Sequence, residues 1–488
     1  MKILLLGLDC AAPELLFGDE QLVNFRRLMQ MGCYGELEST IPPITVPAWM
    51  CLSTSQDPGS LGVYGFRNRI DYSYSGLGIA NSRSIQDLAL WDQVAREGKR
   101  SVLVGVPPSY PPRKVNGICV GCFLTPDPSK DVYTHPASVK EEIAHLVGEY
   151  EVDVKGFRTD KKDWLLEQIY SMSRKQFDVV RHLLKNSEWD YIHFVEIGLD
   201  RLHHGFWQFH DSKHVHHVPG NPYEQVIRDY YRYLDNELGK ILELLTDDTI
   251  VLVASDHGAQ RLDGGFCINE WLVQAGWLVL NDYPKEITPF SKLDVNWEKT
   301  RVWSEGGYYA RMFFNVKGRE PQGTIEKSDY EAFRDEVKAR LEETVDDKGR
   351  RMGTQAFKPE EVYKNVRNVA PDLIVHLGGL YWRSIGGVGY PSIYTQENDT
   401  GPDGCNHAQF GSFILAAPHV PPRGEVQGVH LLNVAPTLLE MAGYDVPGSM
   451  QGRSLASDIM VNTGDDSAYD EGEEEIIRKR LSGLGYIS

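Results

Sequence analysis

Four places along this chain carry side chains of the kind that bind divalent metal ions: Asp9, Asp200 with His204, Asp256 beside His257, and a lone His407. Imidazole nitrogen and carboxylate oxygen are the donors of zinc-type catalytic centres that keep one position open, and the ligand count here fits two ions. Asp200 and His204 stand four apart in DRLHHGFW, a separation at which one helical turn presents both to one ion. Thr45, in PPITVPAWM, completes the set. Each residue alone has a plainer reading. Asp9 can cap a helix, His257 and His407 can be loop histidines, and His203 competes with His204 for the same role.

Residues so far apart need a scaffold that returns them to one place. Asp9 follows KILLLGL, Asp200 follows YIHFVEIGL and Asp256 follows TIVLVAS, each an apolar run of strand type. Open α/β sheets bind their ligands outside the carboxyl ends of the strands, which is where these residues fall. Strand-like runs at 2–8, 101–106, 189–197, 249–255, 372–377 and 412–417 lack polar alternation, as strands buried on both faces do. Helical patterns lie between them, most plainly in PYEQVIRDYYRYLDNELGKILELL, with apolar residues from Val226 to Leu245 and Pro222 near its start. The alternation predicts an α/β fold, a mostly parallel central sheet with helices on both faces. Residues 1–274 and 391–460 form its catalytic core on this reading. The segment 275–390 is an inserted subdomain or cap whose stretches GGYYARMFF and GGLYWRS can wall a cleft, and 461–488 is an acidic linker followed by a short C-terminal helix.

Composition narrows the class. A formal net charge of −19 over 488 residues argues against a nucleic-acid scaffold, so an anionic substrate must be attracted locally. No stretch has the length of a membrane span, and the six residues between Lys2 and Asp9 are too few for a signal-peptide core. Seven cysteines, an odd number without framework spacing, suggest reduced thiols; a cytoplasmic protein is expected.

Taken in order, the strand ending at Asp9, the segment ITVPAWMCLSTSQDPGSLGVYG, the pair Asp200 and His204, the SDHG at 255–258, His407 and the run NVAPTLLEMAGYDVPGSMQGRSL resemble the alkaline phosphatase superfamily, specifically its type I phosphodiesterase and nucleotide pyrophosphatase branch. The resemblance implies an alkaline-phosphatase-like fold and two divalent ions, zinc in most members and manganese in some. It assigns one ion to Asp9, Thr45, Asp256 and His257 and the other to Asp200, His204 and His407, and its spacing selects His204 over His203. Thr45, two residues before Pro47, is then the nucleophile, a role a threonine hydroxyl fills once metal lowers its pKa. The implied activity is hydrolysis of a small phosphodiester or nucleotide through a phosphothreonyl-type intermediate. A phosphomonoesterase or phosphotransferase is the alternative, and a binding protein that lost turnover a more distant one.

Two departures from the branch bear on substrate contacts. Val46-Pro47-Ala48-Trp49 replaces the usual Phe-Pro-Asn-His, and the phosphate-binding asparagine expected near Phe66 falls at Asn68. Asn68 and Arg67 are candidates for touching phosphate or for capping their own turn. Trp49 is either core or an aromatic wall. The C/S-x-P-x-R context of sulfatases is missing, since Thr45 and Trp49 occupy its first and last positions.

Overall fold

The computed structural model describes residues 1–418 and 420–460, together with Ile476. Strand β1 (Lys2–Leu8) is the centre of a ten-stranded sheet. Its side chains divide between two cores. Leu4, Leu6 and Leu8 pack with Phe25, Phe177 and Leu234 on one face, while Ile3 and Leu5 pack with Trp49, Val94 and Leu438 on the other. Burial on both faces explains the unbroken apolar run.

The other strands of this sheet are β2 (Cys33–Glu38), β3 (Ser101–Val104), β4 (Gly117–Val120), β5 (Thr134–His135), β6 (Tyr191–Glu196), β7 (Thr249–Ala254), β8 (Phe410–Ala416) and β9 (Gly424–Glu425), in the order β9-β2-β8-β7-β1-β6-β3-β4-β5, with Val429–His430 paired to β2. Five consecutive strands, β7-β1-β6-β3-β4, are parallel. Register aligns their ends: Gly7 lies opposite Val195 on one side and Ala254 on the other. Asp9, Asp200 and Asp256 therefore leave the sheet at one edge.

Two expectations about the strands change. The run at 412–417 is a strand, but it pairs antiparallel with both β2 and β7. Leu373–His376 belongs to a different sheet, where it lies antiparallel between Ala310–Phe314 and Gln355–Phe357. Apolar content reports burial on both faces, which a covered antiparallel strand shares with a parallel one. The long helix begins at Val226 and ends at Leu242, so Pro222 lies in the turn before it and Leu245 beyond it.

Between β7 and β8 the chain builds a second unit. Val302–Glu305, Ala310–Phe314, Leu373–His376 and Gln355–Phe357 form a four-stranded sheet, and Gly264–Cys267 joins Trp382–Ile385 and Tyr394–Thr395 in a three-stranded one. Helix Tyr330–Glu342 packs Phe333, Val337 and Leu341 into its core beside Trp303, Phe313 and Phe314. Elements of this unit run from Gly264 to Thr395, wider than 275–390, because the strand Gly264–Cys267 and the helix Ile268–Gln274 pack into the same core. The linker and helix expected within 461–488 lie outside the described residues, Ile476 excepted. Among the described residues no helix is long and apolar enough to cross a membrane.

Candidate metal centre

Three aspartates and three histidines converge at the carboxyl edge of the parallel strands, in two sets. Asp9, Asp256 and His257 form one and Asp200, His204 and His407 the other, with the ligating atoms of each set within 4.8 Å of one another. All six are buried. The sets abut, since the His257 and His407 rings stack with centroids 3.7 Å apart.

Local structure explains each placement. Asp9 follows β1, and its Oδ2 accepts from Trp49 Nε1 at 2.8 Å. Trp49 lies on helix α1 (Thr45–Thr54), one turn beyond Thr45, so a single helix face supplies both the hydroxyl and the group that orients Asp9. Pro47 is tolerated there because the first turn has no intrahelical partner for its missing N–H. Thr45 Oγ1 lies 3.3 Å from His257 Nε2, which is itself 3.1 Å from Asp256 Oδ2 and 3.7 Å from Asp9 Oδ1.

Helix α2 (Gly198–His210) carries the second pair. The buried Glu196 accepts from the backbone N–H groups of Gly198 and Leu199, so a carboxylate caps the helix start. Asp200 and His204 share one face one turn apart, and His204 Nε2 lies 3.3 Å from Asp200 Oδ1. His203 points elsewhere: its Nδ1 lies 3.1 Å from the Cys10 carbonyl and its ring packs edge-on against Trp207. His407 arrives on the strand Cys405–Ala408, paired opposite Ala259 of Gly258–Arg261, with its Nε2 3.9 Å from Asp200 Oδ1.

The hydrogen bonds follow one rule. Each histidine places its Nδ1 against an outer acceptor, His257 against Gly258 O at 3.1 Å, His407 against Pro43 O at 2.8 Å and His204 against Asp403 Oδ1 at 2.8 Å. Their Nε2 atoms all face inward. Each aspartate likewise gives one oxygen to the protein, Asp9 to Trp49, Asp256 to the Cys10 N–H and Asp200 to Arg201, and leaves the other, Asp9 Oδ1, Asp256 Oδ2 and Asp200 Oδ1, buried without a donor. Buried acceptors without donors are costly unless a cation satisfies them. Oriented imidazoles backed by outer acceptors are the usual surroundings of metal ligands.

Charge states carry the same message. Burial, then the charge of Asp200, pushes Asp9 well above the usual carboxylate range, and burial with Asp9 does the same to Asp256. Burial lowers His257 to about 4, and burial together with His257 lowers His407. Burial opposes the charges of Asp200 and His204 as well, but their mutual attraction, with Asp403 acting on His204, holds Asp200 low and His204 high. Asp9 and Asp256, a compact pair that disfavours its own ionisation, are carboxylates that a divalent cation fits.

The substrate-contact candidates fall differently. Asn68 Oδ1 accepts from the Tyr64 N–H at 2.7 Å and its Nδ2 donates to Gly65 O at 2.9 Å, so its amide holds its own turn. Arg67 is half-exposed and pairs with Glu305 at 3.3 Å. Trp49 is wholly buried and its N–H is used on Asp9, so it orients that carboxylate rather than walling a cleft. Among the aromatic residues of the inserted unit, Tyr308 stacks on His204 and His407, with centroids 4.9 and 4.4 Å away. Tyr309 instead bonds the Tyr64 carbonyl from a buried position, and Trp382 sits in the unit's own core.

Asp403 was not legible as a site residue, whereas Tyr308 lies in GGYYARMFF, a stretch expected to wall a cleft. The only hint of Asp403 was its place four residues before His407, a spacing with no meaning until the strand is known.

The family profile described as type I phosphodiesterase / nucleotide pyrophosphatase matches residues 3–403. The chain belongs to that family. As a phosphodiesterase-family chain it is a hydrolase of phosphoric ester bonds, and His407 lies just beyond the matched span. Solved structures share the fold. Human ectonucleotide pyrophosphatase / phosphodiesterase 5 aligns with a TM-score of 0.55 at 13% identity, covering 95% of this chain and 100% of its own. The murine enzyme, in an inactive threonine-to-alanine form complexed with AMP, gives 0.54 at 11%, covering 94% and 100%. No curated protein matches the sequence.

Proposed function

We propose that this family member is a metal-dependent phosphodiesterase or nucleotide pyrophosphatase in which Thr45 is the nucleophile. The observation that carries the reading is the inward convergence of three Nε2 atoms and three donor-less carboxylate oxygens beside the Thr45 hydroxyl. Asp9, Thr45, Asp256 and His257 would hold one divalent ion and Asp200, His204 and His407 the other, with zinc the expected metal and manganese the alternative. Such ions, when bound, acidify a hydroxyl or water and offset charge on phosphoryl oxygens.

The chain's own residues do the rest. Thr45 Oγ1 forms a bond to phosphorus as the ester or anhydride oxygen on the opposite side departs, and the hydroxyl proton is balanced by protonation of that departing oxygen. Water then adds to phosphorus, the Oγ1–P bond breaks, and the threonine hydroxyl is restored. Trp49 holds Asp9 with its free oxygen towards His257, and α1 aims its positive amino end at the nucleophile. Nucleoside phosphates are the proposed substrates, a class to which the AMP bound by the murine relative belongs.

Turnover of bis-p-nitrophenyl phosphate and p-nitrophenyl phosphate by zinc- or manganese-loaded protein tests this. The diester is expected to react faster. Thr45→Ala should lower its turnover on the order of a thousandfold or more while metal content stays at the wild-type level. Retained diesterase activity in that variant would show direct attack by water, and a clear monoester preference would establish a phosphomonoesterase.

A further inference from the structure

His204 differs from the other two histidines in what holds its outer nitrogen. His257 and His407 face backbone carbonyls, whereas His204 faces a carboxylate. The Asp403 side chain is itself fully enclosed. Its Oδ1 accepts from His204 Nδ1 at 2.8 Å and from the Cys405 N–H at 3.2 Å. Its Oδ2 accepts from Arg158 Nε at 3.1 Å and the Tyr308 hydroxyl at 3.2 Å, with Arg383 Nη1 at 3.6 Å. Two guanidinium groups make this carboxylate an anion whose orientation is fixed from four sides.

An imidazole can bind a cation through Nε2 only while its remaining proton sits on Nδ1, and an anionic acceptor at Nδ1 favours that form and makes Nε2 more basic. A carbonyl does so more weakly. We propose that Asp403 is the positioning residue that sets metal affinity at the Asp200–His204–His407 centre, and that Tyr308 and Arg383 of the inserted unit act on this centre through it. The inference rests on the metal-site reading above.

Competition against a chromophoric chelator measures zinc affinity in the wild type and in Asp403→Asn, which keeps the shape and removes the charge. One of the two zinc equivalents should bind about 10–100-fold more weakly in the variant, with the other unchanged. A carboxylate that served packing alone would lower the melting temperature of the metal-free variant yet leave both affinities at wild-type values, and that result overturns the proposal. Should Asp403→Asn fail to fold, nitrogen-15 spectra of histidine-labelled, zinc-loaded wild type decide the matter: the His204 proton is expected on Nδ1, and zinc on Nδ1 overturns it. A wild type that takes up no zinc or manganese defeats the metal reading itself, whereas normal uptake with unchanged Asp403→Asn affinity defeats this inference alone.

Discussion

Each site aspartate divides its two oxygens, one tied to the protein and one turned inward without a donor, and Asp256 shows what that costs. Its Oδ1 is anchored by the Cys10 N–H, while Oδ2 faces His257 and Asp9 in a fully enclosed space. Burial first, and Asp9 second, raise its pKa in the folded protein. A carboxyl raised in this way favours the folded state below its unfolded pKa, and that contribution is lost as pH rises through the folded value. Metal-free Asp256→Asn should therefore melt above metal-free wild type, the gap widening from about pH 4 upward by at most about 1.4 kcal/mol per pH unit until it levels. Adding zinc should reverse the order, because only the wild type gains a ligand's worth of stabilisation. Thermal melts of both proteins across pH, with and without metal, check this, and equal responses to metal would remove Asp256 from the centre.

The site's precision depends on how closely elements approach. Helix α1 reaches the sheet because Gly7 has no side chain: a Cβ there would lie 2.5 Å from the Trp49 ring and 3.0 Å from Val195. That contact seats Trp49 where its N–H reaches Asp9, so sheet packing and ligand orientation are one arrangement. Gly7→Ala should destabilise the fold by about 1–3 kcal/mol through overpacking. The same shift displaces the Trp49 bond and Thr45 together, so metal affinity and diester turnover should fall with stability. Chemical denaturation and a metal titration on this variant measure both effects. A comparable constraint acts at Gly198, where a Cβ would meet Glu196, Ser173 and Tyr230 within 2.5 Å, the very groups around the carboxylate that caps α2.

At the scale of the whole molecule, the inserted unit bears directly on the centre. Asn406, next to His407, donates to the Tyr308 carbonyl at 3.1 Å and to Leu380 O at 2.5 Å, fastening the unit to the strand that bears His407. Tyr308 then covers His204 and His407. On the proposed reading a substrate approaching His204 and His407 would meet this ring, and the unit would rank substrates by their leaving groups. Tyr308→Ala should change the order of turnover among diesters with different leaving groups by more than it changes the rate on the nitrophenyl diester. Tyr309→Phe and Trp382→Phe, which alter residues used in packing, should leave that order unchanged. Steady-state kinetics on a small diester panel distinguish these outcomes, and an unchanged order in Tyr308→Ala would make the unit structural.

Much of this was legible in the chain because strand ends and ligand types are local properties. Apolar runs buried on both faces mark β1, β6 and β7, the residues after them are written in the same stretch, and the i, i+4 spacing of Asp200 and His204 needs only a helical turn. Family resemblance carried the choice of Thr45 and of His204 over His203. The sheet direction at 412–417 and the fate of 372–377 were not legible, since hydrophobicity records burial and not pairing. Nor were the roles of Trp49 and Asp403. An indole N–H and a carboxylate take their function from the partner within about 3 Å, and those partners, Asp9 and His204, lie 40 and 199 residues away in sequence. Asp9 meets Trp49 only because Gly7 admits the ring, and His204 meets Asp403 only because the strand bearing His407 packs against α2. Sequence determined which groups are present at the edge of the sheet; tertiary structure decided which of them face inward, because orientation is fixed by contacts that exist only after the chain has closed.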